Sequence, residues 1–202
     1  MNIYFAYQLA NALQYFSHLN LIHGDVATRN CLFYSDYTIK LTDCAMAFSQ
    51  YEHEYWPSPN GQLIPLRWIA PEALTVSSRS TSSMLISSTG HFSFQSTATI
   101  YSDIYSFAVS LWEIWSRCSC LPHLALSNEE VYQHLLAQQY PSNSESPHDL
   151  SFHVSLPADC PKEIYDLLCE CWRPDGDKRP NIADITLYFR RHIDATRVNA
   201  SS

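Results

Sequence analysis

The chain has 202 residues, enough for one good-sized core or two small ones, and 46% hydrophobic against 16% charged residues, a balance that excludes a disordered polymer. Its net charge of −8, from 12 Lys and Arg against 20 Asp and Glu, argues against nucleic acid or an anionic membrane surface as a partner, because both need clustered cations. No run of about 20 apolar residues is present to span a bilayer. The N-terminus lacks a signal peptide's basic region and cleavage site, and the 7 cysteines form no regular framework, which suits free thiols in a reducing compartment.

Taken in order, Ile3, Ala6, Tyr7, Ala10, Leu13 and Phe16 recur at three-four spacing and predict an amphipathic helix over 3–19, ended by Asn20. The stretch His23-Gly-Asp-Val-Ala-Thr-Arg-Asn-Cys-Leu32 follows, with a carboxylate at Asp25 and an amide at Asn30. Cys31-Leu-Phe33 and Thr38-Ile-Lys-Leu41 flank Tyr34-Ser-Asp-Tyr37 and predict a short hairpin. A second carboxylate, Asp43, stands just past it, so both acidic groups are expected at the ends of short strands. Residues 43–72 read as one long loop, broken by Pro57, Pro59, Asn60-Gly61 and Pro65.

Beyond it, residues 75–99 are crowded with Ser and Thr and without periodicity, which predicts a flexible insertion. The pattern over 102–117 is apolar almost all round, so this helix belongs at the centre of a domain, with Ser102 as its cap. Three more helices are predicted over 127–138, 161–172 and 181–192, with an irregular connector at 139–158. The fold class is mainly α with one small β-hairpin. Cys118/Cys120 and Cys169/Cys171 lack zinc-site spacing and read as small buried hydrophobes.

Several of these strings carry a family likeness. HGDVATRNCL resembles the H-R-D-L-A-x-R-N catalytic loop of receptor-type protein tyrosine kinases. Ala70-Pro71-Glu72 resembles the A-P-E that closes their activation segment, and Ser102-Asp103 through Trp112-Glu113 resembles their S-D-V-W-S-F-G-V-x-L-W-E helix. Cys171-Trp172 with Arg179-Pro180 is similar to their C-W-x6-R-P. Among such kinases, Thr38-Ile-Lys-Leu-Thr-Asp43 and Leu63-Ile-Pro-Leu-Arg-Trp68 look most like those of the discoidin-domain, collagen-binding receptors, while neurotrophin-receptor kinases share several of the strings.

The resemblance implies a kinase-like C-terminal lobe over 1–202 and phosphate transfer from ATP, with Mg2+, to protein tyrosine. Asp25 would orient the substrate hydroxyl, Arg29 would fix Asp25, and Asn30 and Asp43 would hold magnesium. Leu32 would lie under adenine, Pro65 and Arg67 would wall the substrate phenol, and Tyr51 and Tyr55 would be loop phosphorylation sites. His23, Glu72, Asp103 and Arg179 are expected to be structural, with Glu72 and Arg179 forming an ion bridge. For Asp25 and Asp43 the plainer alternative is a pair of capping carboxylates. A receptor parent would place the chain on the cytoplasmic side of the plasma membrane and could form a dimer.

Three departures from the family pattern open a second hypothesis. The sequence begins inside that lobe, without the glycine loop, strand Lys and partner Glu of the N-terminal lobe, so this chain alone is expected to show no measurable kinase activity. Gly24 replaces the arginine that receives a loop phosphotyrosine, and Asp43-Cys44-Ala45 replaces D-F-G. These favour a pseudokinase or a non-catalytic binding scaffold, while the retained Asp25, Asn30 and Asp43 favour a catalyst.

Overall fold

A computed structural model describes residues 1–42, 50–58, 61, 63–74, 98–139 and 154–200. Asp43-Cys44-Ala45, nearly all of the Ser/Thr-rich insertion and most of the 139–158 connector lie outside these described residues. Helix α1 (Asn2–His18) buries Ala6, Leu9, Ala10 and Leu13, the inward stripe of an amphipathic helix. Leu19 caps it and Asn20 turns the chain at φ 52, a left-handed conformation that a short polar side chain tolerates.

Helix α2 (Ile100–Trp115) runs through the core, with all but a few of its residues buried. Thr99, rather than Ser102, is its cap: Thr99 Oγ1 accepts from the Tyr101 N–H, and Ser102 Oγ accepts from the Thr99 N–H to close a capping box. Helices α3 (Asn128–Gln139), α4 (Lys162–Cys171) and α5 (Ile182–Ala200) complete the body, the last extending well past the expected 181–192. α1 packs on α5 and α2, and α4 also packs on α2. Leu9, Leu13, Phe107, Leu111, Ile164, Leu168, Ile185 and Phe189 form the fully buried centre.

Strands β1 (Cys31–Phe33) and β2 (Ile39–Leu41) pair antiparallel, Leu32 opposite Lys40, as the expected hairpin. The Gln8 side chain ties it to α1, accepting from the Ile39 N–H (3.0 Å) and donating to the Tyr37 carbonyl (3.1 Å). A second antiparallel pair, β3 (Trp56–Pro57) with β4 (Leu63–Ile64), corrects the reading of 43–72 as a single loop. Two-residue strands are too short to show alternation, and Pro57 cannot donate to a ladder. Packing holds the pair: the Trp56 ring lies 5.1 Å from that of Tyr132 on α3, and Ile64 is buried.

Glu72 and Arg179, 107 residues apart in sequence, meet in a bidentate ion pair with N···O distances of 2.6 and 2.9 Å. Arg179 also donates to the Arg173 and Tyr101 carbonyls, both at 2.8 Å, while Ser102 Oγ donates to Glu72. A Cβ on Gly176 would come within 3.3 Å of Tyr101 Cβ, so a side chain in this turn would press on Tyr101 beside the pair. Removing one partner strands a buried guanidinium, so Glu72→Ala should cost about 3–5 kcal/mol in urea unfolding. A loss below about 1 kcal/mol would show that other groups hold these segments together.

Candidate active site

Asp25 lies in the loop before a short 3-10 turn at Thr28–Asn30, and so precedes the hairpin instead of ending a strand. Its carboxylate is 3% exposed and fully engaged. Oδ1 takes the Arg29 Nη2 donor, and Oδ2 accepts from Asn30 Nδ2 (2.9 Å) and from the Tyr55 hydroxyl (2.6 Å). Asn30 Nδ2 also donates to the Asp25 carbonyl at 2.7 Å, which fixes the amide's orientation. Its other atom, Oδ1, is buried and accepts no hydrogen bond among the described residues. A buried, unengaged amide oxygen beside a carboxylate suits a hard cation such as Mg2+.

Arg29 is the hub of this cluster. Its guanidinium donates to Asp25, to Glu54 Oε2 (2.9 Å) and to the Tyr55 oxygen (3.0 Å), and lies over the Trp68 ring at 4.2 Å. Burial alone would lower its pKa, but Asp25, Tyr55 and Glu54 more than offset that and raise it, so the charge is permanent. Burial, then the Asp25 charge, push the Tyr55 phenol well above its ordinary range. The hydroxyl therefore stays protonated and donates to Asp25.

Helix α2 positions the loop. Asp103 accepts from the N–H groups of His23 (2.7 Å) and Gly24 (2.9 Å). Ser106 Oγ donates to the Trp68 carbonyl (2.8 Å) and Ser110 Oγ to the Val26 carbonyl (3.1 Å). Glu113 Oε2 accepts from Trp68 Nε1 (2.8 Å) and the Thr28 N–H (3.2 Å). Burial pushes both carboxyls up, opposed by the N–H bonds that favour their ionised forms. His23 bridges the loop to Thr42: Nε2 donates to the Thr42 carbonyl (2.7 Å), and Nδ1 accepts from the Asp25 N–H (3.2 Å). Those two bonds together require the neutral Nε2–H tautomer.

The structure brings Asp25, Arg29, Asn30, His23, Asp103 and Tyr55 together and sends other expected residues elsewhere. Leu32 is half-exposed in mid-strand on β1. Pro65 is buried at the turn that leads to Trp68, its carbonyl accepting from the Trp68 N–H at 2.9 Å. Arg67, expected at the substrate wall, has a bracing role in the fold. Its donors engage Asn128 Oδ1 (3.0 Å) and the carbonyls of Pro122, His123 and Leu126 (each 2.8 Å), so it braces the Pro65 turn against the start of α3. Tyr51 is exposed, and Asp43 lies outside the described residues. Sequence reasoning passed over Glu54, Ser110 and Glu113, although polar residues at 103, 106, 110 and 113 form one stripe of an otherwise apolar helix.

A family model described as protein tyrosine and serine/threonine kinase matches residues 1–189. The chain belongs to this kinase family. It is 30% identical over 184 residues to discoidin domain-containing receptor tyrosine kinase B of Caenorhabditis elegans, covering 91% of this chain and 20% of that protein. To epithelial discoidin domain-containing receptor 1 of Homo sapiens it is 29% identical over 185 residues, covering 92% of this chain and 18% of the receptor. With tyrosine-protein kinase receptor TYRO3 of Xenopus tropicalis it shares 27% identity over 191 residues, 95% of this chain and 18% of that receptor. The chain thus spans about a fifth of the length of these relatives, and no helix among its described residues is long and apolar enough to cross a membrane.

At Gly24 the backbone is at φ 78, although a Cβ there would meet nothing within 4 Å. The restriction is therefore conformational and not steric crowding. Gly24→Ala should cost about 1–2 kcal/mol in thermal or urea unfolding, the penalty of a left-handed L-residue. An unchanged stability would mean that the loop relaxes to another conformation.

Proposed function

We propose that the chain is the C-terminal catalytic lobe of a receptor-type protein tyrosine kinase, with a Ser/Thr-rich insertion near 75–99, that moves the γ-phosphate of ATP to a protein tyrosine. The observation that carries this reading is the 2.6 Å bond from the Tyr55 hydroxyl to Asp25. A phenol fits this site with its proton directed at a buried carboxylate, which is the geometry a tyrosine acceptor needs. In the reaction, Asp25 accepts the proton as the phenolic oxygen bonds to phosphorus, and the bond from the γ-phosphorus to the bridging oxygen breaks to release ADP. Arg29 and Asn30 hold Asp25 in place meanwhile.

Asn30 Oδ1, with Asp43, is suited to hold magnesium, which when bound offsets the negative charge of the phosphates. Leu32 lies on the nucleotide side, and Pro65 helps to shape the wall beside the acceptor phenol. Tyr51, being exposed, can be phosphorylated where it stands, whereas Tyr55 must first leave Asp25. The receptor tyrosine kinases among its relatives support protein tyrosine substrates and a receptor parent, for which this reading takes a place on the cytoplasmic side of the plasma membrane.

Gly24 supports a second reading, a pseudokinase that uses the same fold for binding. Its left-handed backbone disfavours the arginine that would receive a phosphorylated loop. Transfer of labelled γ-phosphate to a tyrosine peptide by the full-length product that carries this chain separates the two. Asp25→Asn should lower the rate about 10²–10⁴-fold, measured below the melting temperature of the variant, which loses the buried charge that pairs with Arg29. A rate untouched by Asp25→Asn would overturn the catalytic assignment, and no transfer by the unaltered protein would favour the pseudokinase.

A further inference from the structure

Glu54, Tyr55, Trp56 and Pro57 are consecutive, and each meets a different fixed part of the site. We infer that the site selects an extended segment in which the acceptor tyrosine follows a carboxylate and precedes an aromatic residue, with Arg29 and Tyr132 as the specificity-determining groups. The inference rests on the phosphotransfer reading and deepens it. The chain's own loop serves as the template: Tyr55 on Asp25 marks the acceptor position, which numbers the positions on either side.

One residue before the acceptor, Glu54 Oε2 receives the Arg29 Nη1 donor at 2.9 Å. That guanidinium does not depend on the loop for its position, because Asp25 and the Trp68 ring also hold it, and its side chain is 2% exposed. When the loop withdraws, Nη1 loses the acceptor it has among the described residues. Withdrawal of Glu54 and Tyr55 also uncovers it to water, and a carboxylate that enters at the same position restores the charge-assisted pair that Glu54 made. Lysine there would meet a like charge held in place by Asp25 and Trp68.

One residue after the acceptor, the Trp56 ring lies 5.1 Å from the Tyr132 ring at 43°. Tyr132 is buried on α3, whose start is tied through Arg67 and Asn128 to the Pro65 turn. This surface too remains when the loop leaves, and a tilted ring pair rewards an aromatic partner over an aliphatic one of equal area. Trp56 and Pro57 then pair with Ile64 and Leu63, so the template is extended as an added strand would be. Charge before, ring after and strand pairing beyond define one orientation of the bound segment.

The test uses the full chain carrying Glu54→Ala, Tyr55→Phe and Trp56→Ala, which takes the loop's own groups off Arg29, Asp25 and Tyr132, and fluorescein-labelled heptapeptides read by fluorescence anisotropy. Glu-Tyr-Trp at the centre should bind tightest. Replacing the Glu by Lys should weaken binding at least about tenfold, and replacing the Trp by Ala about fivefold. With Tyr132→Leu added, the preference for Trp should fall away while that for Glu stays; Tyr132→Phe should keep both. Equal binding of all tyrosine peptides whatever their neighbours would overturn the inference and leave the acceptor assignment standing. A peptide with Phe in place of its central Tyr that binds as well as its parent, or no binding by any peptide, would overturn the acceptor assignment and the inference with it.

Discussion

The site depends on a polar stripe along one face of a buried helix. Asp103, Ser106, Ser110 and Glu113 lie on α2 inside the core, where an unsatisfied polar group is costly. Each finds its partner in backbone or indole groups of the Asp25 loop or Trp68. Because these bonds form away from water, shifting the loop by an ångström would break several at once. The chain's centre is thus both hydrophobic and a jig for the Asp25 loop. Trp68 extends it: held by Glu113, its ring supports the Arg29 guanidinium, which in turn holds Asp25.

That arrangement separates what is fixed from what can move. Asp25, Arg29 and Asn30 are pinned by core contacts, whereas Glu54 and Tyr55 reach them from a segment anchored by a two-residue sheet and one ring pair. Withdrawal of Tyr55 would expose a carboxylate already aligned. Gly24 belongs to the fixed part. Its left-handed backbone presents two successive N–H groups, its own and that of His23, to the two oxygens of Asp103.

Much of this was legible in the sequence, for physical reasons that can be named. α1 and α2 announce themselves because burial on a helix repeats every three or four residues. The Asp25–Asn30 spacing is legible because a 3-10 turn sets how far an amide can reach back. The second sheet was not, since two residues carry no period and its stability comes from Tyr132, some 75 residues away. Ser102 was misassigned by one turn because Thr99 and Ser102 share a reciprocal box, and either fits a cap preference. The bracing role of Arg67 was not legible for a related reason: only the fold brings four acceptors, from Pro122 to Asn128, around its guanidinium.

If the α2 stripe sets the loop, its grip on the His23 and Gly24 amides is the most direct thing to measure. Native-state hydrogen exchange should find both amides slow in the unaltered chain. In Asp103→Ala they should exchange at least about tenfold faster while the α2 amides keep their protection, the signature of local release without unfolding. Rapid exchange of these two amides in the unaltered chain, or no change on removing Asp103, would contradict the account.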